Sequence, residues 1–187
     1  MQKFCWVFVL MLLLPMQTFA QSAMHFQPGT MSAGGIIDFE SHEMDFPSPT
    51  PDATVKTFRF FPELIYFVRS YLAVVGRVGY TSISGDIFER NIFSIGAGLR
   101  LVQPLAVLHV YAGAEVGTYF TSYEGDEDTL DFGVSFPLGV LIPLSSSVAV
   151  DIGARIAKIW RDNDHPAGYN YNSFIFDIGY LGIQAFF

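Results

Sequence analysis

Cysteine is all but missing from this chain of 187 residues, the single one being Cys5. It lies in an N-terminal apolar run, so disulfides and cysteine-based metal centres play no part in anything downstream. Charge is scarce as well, at 15% of residues, and Lys and Arg are scarcer than Asp and Glu, 10 against 18. An acidic balance of this kind argues against a nucleic-acid partner. Beyond the N-terminus no apolar stretch continues unbroken for the roughly 20 residues a spanning helix needs, because Gly, Pro, Arg, Glu or Asp interrupts each candidate. Nor is there a Gly-rich phosphate loop or a nucleotide fingerprint, and no cofactor is expected.

Aromatic residues make up 16% of the chain and apolar residues 51%, with a mean hydropathy of +0.36. The opening MQKFCWVFVLMLLLPMQTFAQ has one early cation, Lys3, an apolar run from Phe4 to Leu14, and small or polar residues up to Ala20. That is the form of a secretory signal peptide over residues 1–20, leaving residues 21–187 as one exported domain. Cys5 stands too far ahead of the cleavage point to be a lipoprotein anchor. Cleavage removes one cation and no acid, so the mature chain is one unit more negative than the formal −8 of the whole. An exported, aromatic-rich chain without a spanning helix crosses a bilayer as a closed β-barrel.

The stretch from Phe58 to Tyr80 carries this reading. It divides into two strands at Arg69-Ser70, with Phe58, Phe60, Pro62, Leu64 and Tyr66 alternating with Arg59, Phe61, Glu63 and Ile65. Beyond the turn Leu72, Val74, Gly76, Val78 and Tyr80 alternate with Ala73, Val75, Arg77 and Gly79. Such alternation marks strands with one polar and one apolar face. The pattern recurs over Thr30–His42, Phe93–Leu101, Leu108–Phe120, Leu130–Val140, Val148–Ile156 and Ser173–Phe187. Short turns are expected at Gln103-Pro104 and Pro143 to Ser146. Longer connections are expected at EMDFPSPTPDA, SGDIFER, TSYEGDEDT and RDNDHPAGYNY, and residues 21–29 read as a short polar lead. Alternating long and short connections predict an all-β fold, an eight-stranded antiparallel up-and-down transmembrane β-barrel with periplasmic N- and C-termini. Tyr66, Phe67, Tyr71, Tyr80, Tyr119, Phe120, Trp160 and Phe187 are expected in aromatic girdles at the strand ends.

Magnitude decides which face meets lipid, since Arg or Lys on the lipid face near the midplane costs about 2–4 kcal/mol. Arg59, Arg77, Arg100 and Arg155 therefore point inward, and the same parities bring in Asp38, Glu40, Glu63, His109, Glu115, Asp131 and Asp151. Asp177 belongs with this set, yet terminal Phe187, Ile183 and Leu181 share its parity and want lipid. A β-bulge near Gly179 to Gly182 reconciles them. The twelve inward residues are expected to form a packed polar lumen, because eight strands leave an interior just wide enough for side chains. The strand glycines are expected to ease curvature.

The opening PGTMSAGGIIDFES, the hairpin PELIYFVRSYLAVVGRVGY and the terminal Phe187 resemble the small OmpX/OmpW-like outer-membrane β-barrel proteins. The chain has Arg69-Ser70 where members of that family often have Asp-Asn. The resemblance implies a Gram-negative outer-membrane location and partnership with outer-membrane lipid and lipopolysaccharide. It also implies recognition of Phe187 by the barrel-assembly machinery, and a monomer in a structural or surface-interaction role, not an enzyme. The runner-up is an enzyme acting on lipopolysaccharide acyl chains, to which His42 beside Ser41 or His165 near Asp162 and Asp164 would contribute. None of the four histidines is followed two residues later by Ser, the signature of barrel deacylases. A third reading is a conduit for small hydrophobic molecules, which needs a gap in the strand ladder. A soluble lipocalin-type barrel would reverse the two faces. The acidic run Glu124, Asp126, Glu127 and Asp128 offers oxygen ligands for a cation, though such runs are usually only solvated.

Overall fold

In the computed structural model the described residues are 24–44, 53–85, 88–105, 107–123, 128–160 and 173–187. The backbone alone is described at 42–44, 53, 88, 123 and 173–179. The expected signal peptide, His165 and the acidic residues 124–127 lie outside this set, as does the side chain of His42. Eight strands run in chain order: β1 (Met31–Met44), β2 (Ala53–Arg69), β3 (Leu72–Gly85), β4 (Phe88–Pro104), β5 (His109–Tyr123), β6 (Thr129–Pro143), β7 (Val148–Trp160) and β8 (Ser173–Phe186). Each pairs antiparallel with the next, and β1 pairs with β8 to close a barrel. Among the described residues no helix is long and apolar enough to cross a membrane.

The alternation read from the sequence is the alternation of the wall. Phe60, Leu64, Val74, Ile95, Leu99, Val116, Phe136 and Leu138 stand exposed on the outside, while Glu63, Ile65, Val75, Arg100, Glu115 and Asp151 are buried within. The strands are longer than the sequence pattern alone marked. β3 runs on to Gly85 and β4 begins at Phe88, so the long connection expected over Ser84–Arg90 shrinks to two intervening residues. Ser82 and Ser84 keep the strand period without apolar side chains, and it is their pairing with Asn91 and Glu89 that extends the sheet. Likewise Gln103 and Pro104 end β4 opposite Val110 and His109, and the turn falls after them.

In β8 the pairing with β7 shifts between Gly153 and Ala154. Gly153 faces Tyr180 and Ala154 faces Ile178, leaving Gly179 as the extra residue. The parity of the strand reverses there. Gly182, Gln184 and Phe186 are buried below the bulge, and Asp177 registers with inward Arg155 above it. The two conflicting demands on β8 are thus both met by one inserted residue.

Three strand glycines are fixed by space more than by curvature. A Cβ at Gly139 would lie 2.6 Å from the Tyr111 hydroxyl, and one at Gly153 would lie 2.5 Å from the Tyr180 ring. Gly35, in β1, has φ +152° and faces Pro62, whose Cα would be 2.9 Å from an added Cβ. Only a residue without Cβ fits that backbone and that approach.

Candidate functional site

Four side chains from four strands meet across the middle of the barrel. Arg100 (β4) donates through both terminal nitrogens to the Glu63 carboxylate (β2), at 2.9 and 2.8 Å. Arg77 (β3) donates to Glu63 at 2.5 Å and to both oxygens of Glu115 (β5), at 2.6 and 3.1 Å. Two cations therefore face two anions, with side-chain exposures between 1% and 9%. Paired forks of this kind are the geometry in which buried guanidinium and carboxylate groups compensate their loss of water. Gln184 (β8) adds a donor to Glu63 at 3.0 Å and accepts from Ser32 (β1) at 3.2 Å, and Ser135 (β6) donates to Glu115 at 3.4 Å. Seven strands, all but β7, are tied through this one network.

Beside it, the Arg100 guanidinium lies 4.5 Å from the centre of the Tyr111 ring. The Tyr111 hydroxyl donates to Asp151 at 2.6 Å and also meets the Tyr180 hydroxyl. Arg155 lies over Phe61 and Tyr180, at 5.4 and 5.9 Å from the ring centres. A cavity of about 30 Å³, lined by Arg77, Gly96, Glu115, Tyr119 and Arg155 among others, separates Arg155 from the quartet. That is space for about one water. Toward the long connections Arg59 pairs with Asp38 at 2.6 Å and Glu40 at 3.2 Å, in a wetter setting where the three side chains are 31% to 47% exposed.

Of the twelve residues the sequence assigned inward, Glu63, Arg77, Arg100 and Glu115 converge in the quartet, Asp151 joins through Tyr111, and Asp38, Glu40 and Arg59 form a second group. Asp131 and Arg155 are buried in the upper interior, and only the backbone of Asp177 is described. His109 stands apart. Its ring nitrogen bonds the Met24 carbonyl at 2.9 Å, and its ring lies 4.7 Å from that of Phe26.

That contact corrects the polar-lead reading of residues 21–29. Met24 and Phe26 are buried inside the short-turn mouth, where Phe26 stacks on Phe67 at 4.2 Å and meets Phe186 at 5.1 Å. Gly29 donates to the Phe67 carbonyl at 2.8 Å, and Phe67 returns a bond to Thr30 at 2.9 Å. Ile65, Val75, Val102 and Leu141 complete an apolar floor. Phe67 is therefore a floor residue and not part of an outer girdle, as the odd parity of β2 requires. Tyr119 likewise points inward, its ring above Gly133. No motif or charge in the sequence marks Gln184, Tyr111 or Tyr180 for the places they take. The one sequence signal for the N-terminal insertion is the spacing of Met24 and Phe26 about His25, ahead of Pro28-Gly29.

Among the described residues no group of three His, Cys, Asp or Glu side chains is arranged to hold a metal ion. No protein-family model matches the chain, and no characterised protein matches it by sequence. Solved structures do. The crystal structure of neisserial surface protein A superposes with a TM-score of 0.57 at 17% identity, covering 85% of this chain and 97% of that one. Ail of Yersinia pestis gives 0.47 at 13% identity, over 87% and 100% of the two chains. OprG of Pseudomonas aeruginosa gives 0.47 at 12% identity, over 88% and 98%. The likeness to neisserial surface protein A is one of fold, the closed antiparallel eight-stranded barrel that the sequence implied.

Proposed function

We propose that this chain is an integral outer-membrane barrel, with a closed polar lumen and both termini toward the periplasm, serving the envelope structurally or through its surface connections. One observation carries this reading: charge is paired inside, by Arg77, Arg100, Glu63 and Glu115, while the outer wall presents a continuous band of exposed Phe, Leu, Ile and Val. In water such a band is an aggregation surface, and in a bilayer it is the correct solvent. The quartet and the inserted Met24–Phe26 segment stand in series across the lumen, which favours closure over conduction. Outer-membrane lipid and lipopolysaccharide are its surroundings, Phe187 its signal to the assembly machinery, and a monomer its state.

Heat-modifiability on a gel tests this, on protein from outer-membrane fractions refolded in detergent, with urea-washed membranes as control. Faster migration before boiling and retention through urea are expected, whereas release by urea without detergent contradicts membrane insertion. The enzymatic alternative needs a histidine bonded to a hydroxyl, and His109, the buried histidine among the described residues, bonds the Met24 carbonyl instead. It is tested by lipopolysaccharide acyl analysis, with loss of any activity in His42→Ala or His165→Ala. A second reading, lateral passage of small hydrophobic molecules, is favoured by the ladder between β1 and β8, which among the described residues runs only from Ser32–Phe186 to Ile36–Gly182 although β1 continues to Met44 and β8 begins at Ser173.

A further inference from the structure

Four apolar side chains stand side by side on the outer wall, toward the long connections. Tyr80 (β3) registers with Phe93 (β4), Phe93 with Phe120 (β5) and Phe120 with Leu130 (β6), and all four are exposed. One step nearer the long connections the wall turns polar, with Ser82, Asn91 and Ser122 in register. A change from apolar to polar with aromatic rings along the line is the edge of the lipid-facing band of a membrane barrel.

Along that edge lies a hollow of about 320 Å³, whose lining includes Tyr80, Phe93, Phe120, Leu130, Asn91 and Asp128. The Phe93 and Phe120 rings have their centres 6.3 Å apart and are inclined at 41°, so they are tilted to one another and not stacked. The third ring is fixed by its hydroxyl, which Tyr80 donates to the Asn91 side-chain oxygen at 3.0 Å. Asp128, just ahead of β6, is exposed, and among the described residues it forms no ion pair. No described Lys, Arg or His lines the hollow. It therefore combines three aromatic rings with one negative charge that nothing around it offsets.

We infer that this hollow binds the headgroup of a quaternary-ammonium amphiphile, whose single alkyl chain runs down the outer wall past Val78 and Ile95. Those two residues are exposed and in register next to the aromatic row, toward the middle of the wall. Aromatic faces attract a cation lying within about 6 Å of the ring centre, and quaternary ammonium groups are the cations that aromatic cages take. Asp128 supplies the opposite charge and repels phosphate and sulfate heads. A hydrated metal ion fits poorly, because one carboxylate and one amide are too few oxygen ligands for it. A neutral head would leave Asp128 without a counter-charge. The inference rests on the membrane reading, which heat-modifiability tests separately.

The test uses the full mature chain refolded in maltoside micelles, with backbone amide NMR shifts followed as dodecyltrimethylammonium is added. Its neutral isostere, with a tert-butyl head on the same chain, and dodecyl phosphate serve as controls. Saturable shifts at Tyr80, Phe93, Phe120 and Leu130 are expected, at one ligand per barrel, while Phe39 and Trp160 on other parts of the wall stay unmoved. The isostere should bind about tenfold more weakly for want of charge, and dodecyl phosphate more weakly still. Asp128→Asn should weaken binding several-fold, and Phe93→Leu with Phe120→Leu, which keeps the wall apolar, about tenfold. Gel mobility before and after boiling checks that each variant folds. Equal binding by the isostere, or no loss in Asp128→Asn, overturns the inference and leaves an apolar groove without selectivity. So do shifts that spread to Phe39 and Trp160, which report amphiphile inserting all round the wall.

Discussion

Toward the short turns, Phe26, Phe67, Val102, Leu141 and Phe186 fill the barrel with apolar atoms; toward the long connections, Asp38, Glu40 and Arg59 line it with half-exposed charge. The closing seam follows the same division. β1 and β8 are paired beside the filled half and part beside the hydrated one. Filling and closure therefore go together. Ser32, Gln184 and Phe186 come from the paired part of the seam and are all buried in the interior packing, so the side chains that fill the lower half also hold its two end strands together. The Arg77–Arg100–Glu63–Glu115 quartet marks the boundary between the halves.

The variants that probe this division most strongly act at the boundary. Glu63→Ala leaves two buried guanidinium groups without their shared carboxylate, and should destabilise by about 3–5 kcal/mol. Urea unfolding of the refolded barrel measures it, and a loss no larger than that of an exposed pair would erase the distinction between the halves. Phe26→Ala removes the ring that stacks on Phe67 from the dry floor. Its cost is up to about 3 kcal/mol, toward the low end for buried Phe because a chain terminus can undock. A maleimide-reactive Val102→Cys in the same background should become labelled, and continued protection would show that Phe26 does not seal the mouth. Gly153→Ala drives a methyl into the Tyr180 ring and should cost about 1–3 kcal/mol, read from the same urea midpoint; a neutral outcome would mean that Tyr180 moves freely aside. Arg59→Gln, in the wet half, breaks partly exposed pairs and should change stability by at most about 1 kcal/mol. A larger loss would show that the upper interior is packed as tightly as the lower.

Much of this architecture is legible in the residues. Alternation fixes which face of β2, β3, β5, β6 and β7 is inside, because a misplaced Arg77 or Arg155 would cost more than the wall can absorb. The conflict between Asp177 and Phe187 locates the bulge that the structure has at Gly179. What period-2 patterns do not carry is length and depth. Polar Ser82 and Ser84 continue a strand that hydropathy had ended, since a ladder partner matters more to the backbone than an apolar side chain. Phe67 and Tyr119 look like girdle aromatics until parity is applied. Met24 and Phe26 are too short a pattern to stand out, and their burial depends on a mouth assembled from seven strands, β2 to β8. The quartet was present as a list of charges, but which pairs with which depends on the barrel's shear. The point where the β1–β8 ladder stops, at Ile36 and Gly182, is set by the pairing of the two ends of the chain, which no local pattern specifies.

Amide hydrogen exchange along β1, in the barrel reconstituted in lipid, tests the division most directly. Successive strand residues direct their N–H groups to opposite neighbours. Slow exchange is expected at every amide from Ser32 to Ile36, where both neighbours are paired. From Ile37 onward slow and fast amides should alternate, the slow ones facing β2 and the fast ones facing the open seam. Uniform protection from Ser32 through Ser41 would contradict the account, for it would mean that β1 and β8 are zipped along their whole length.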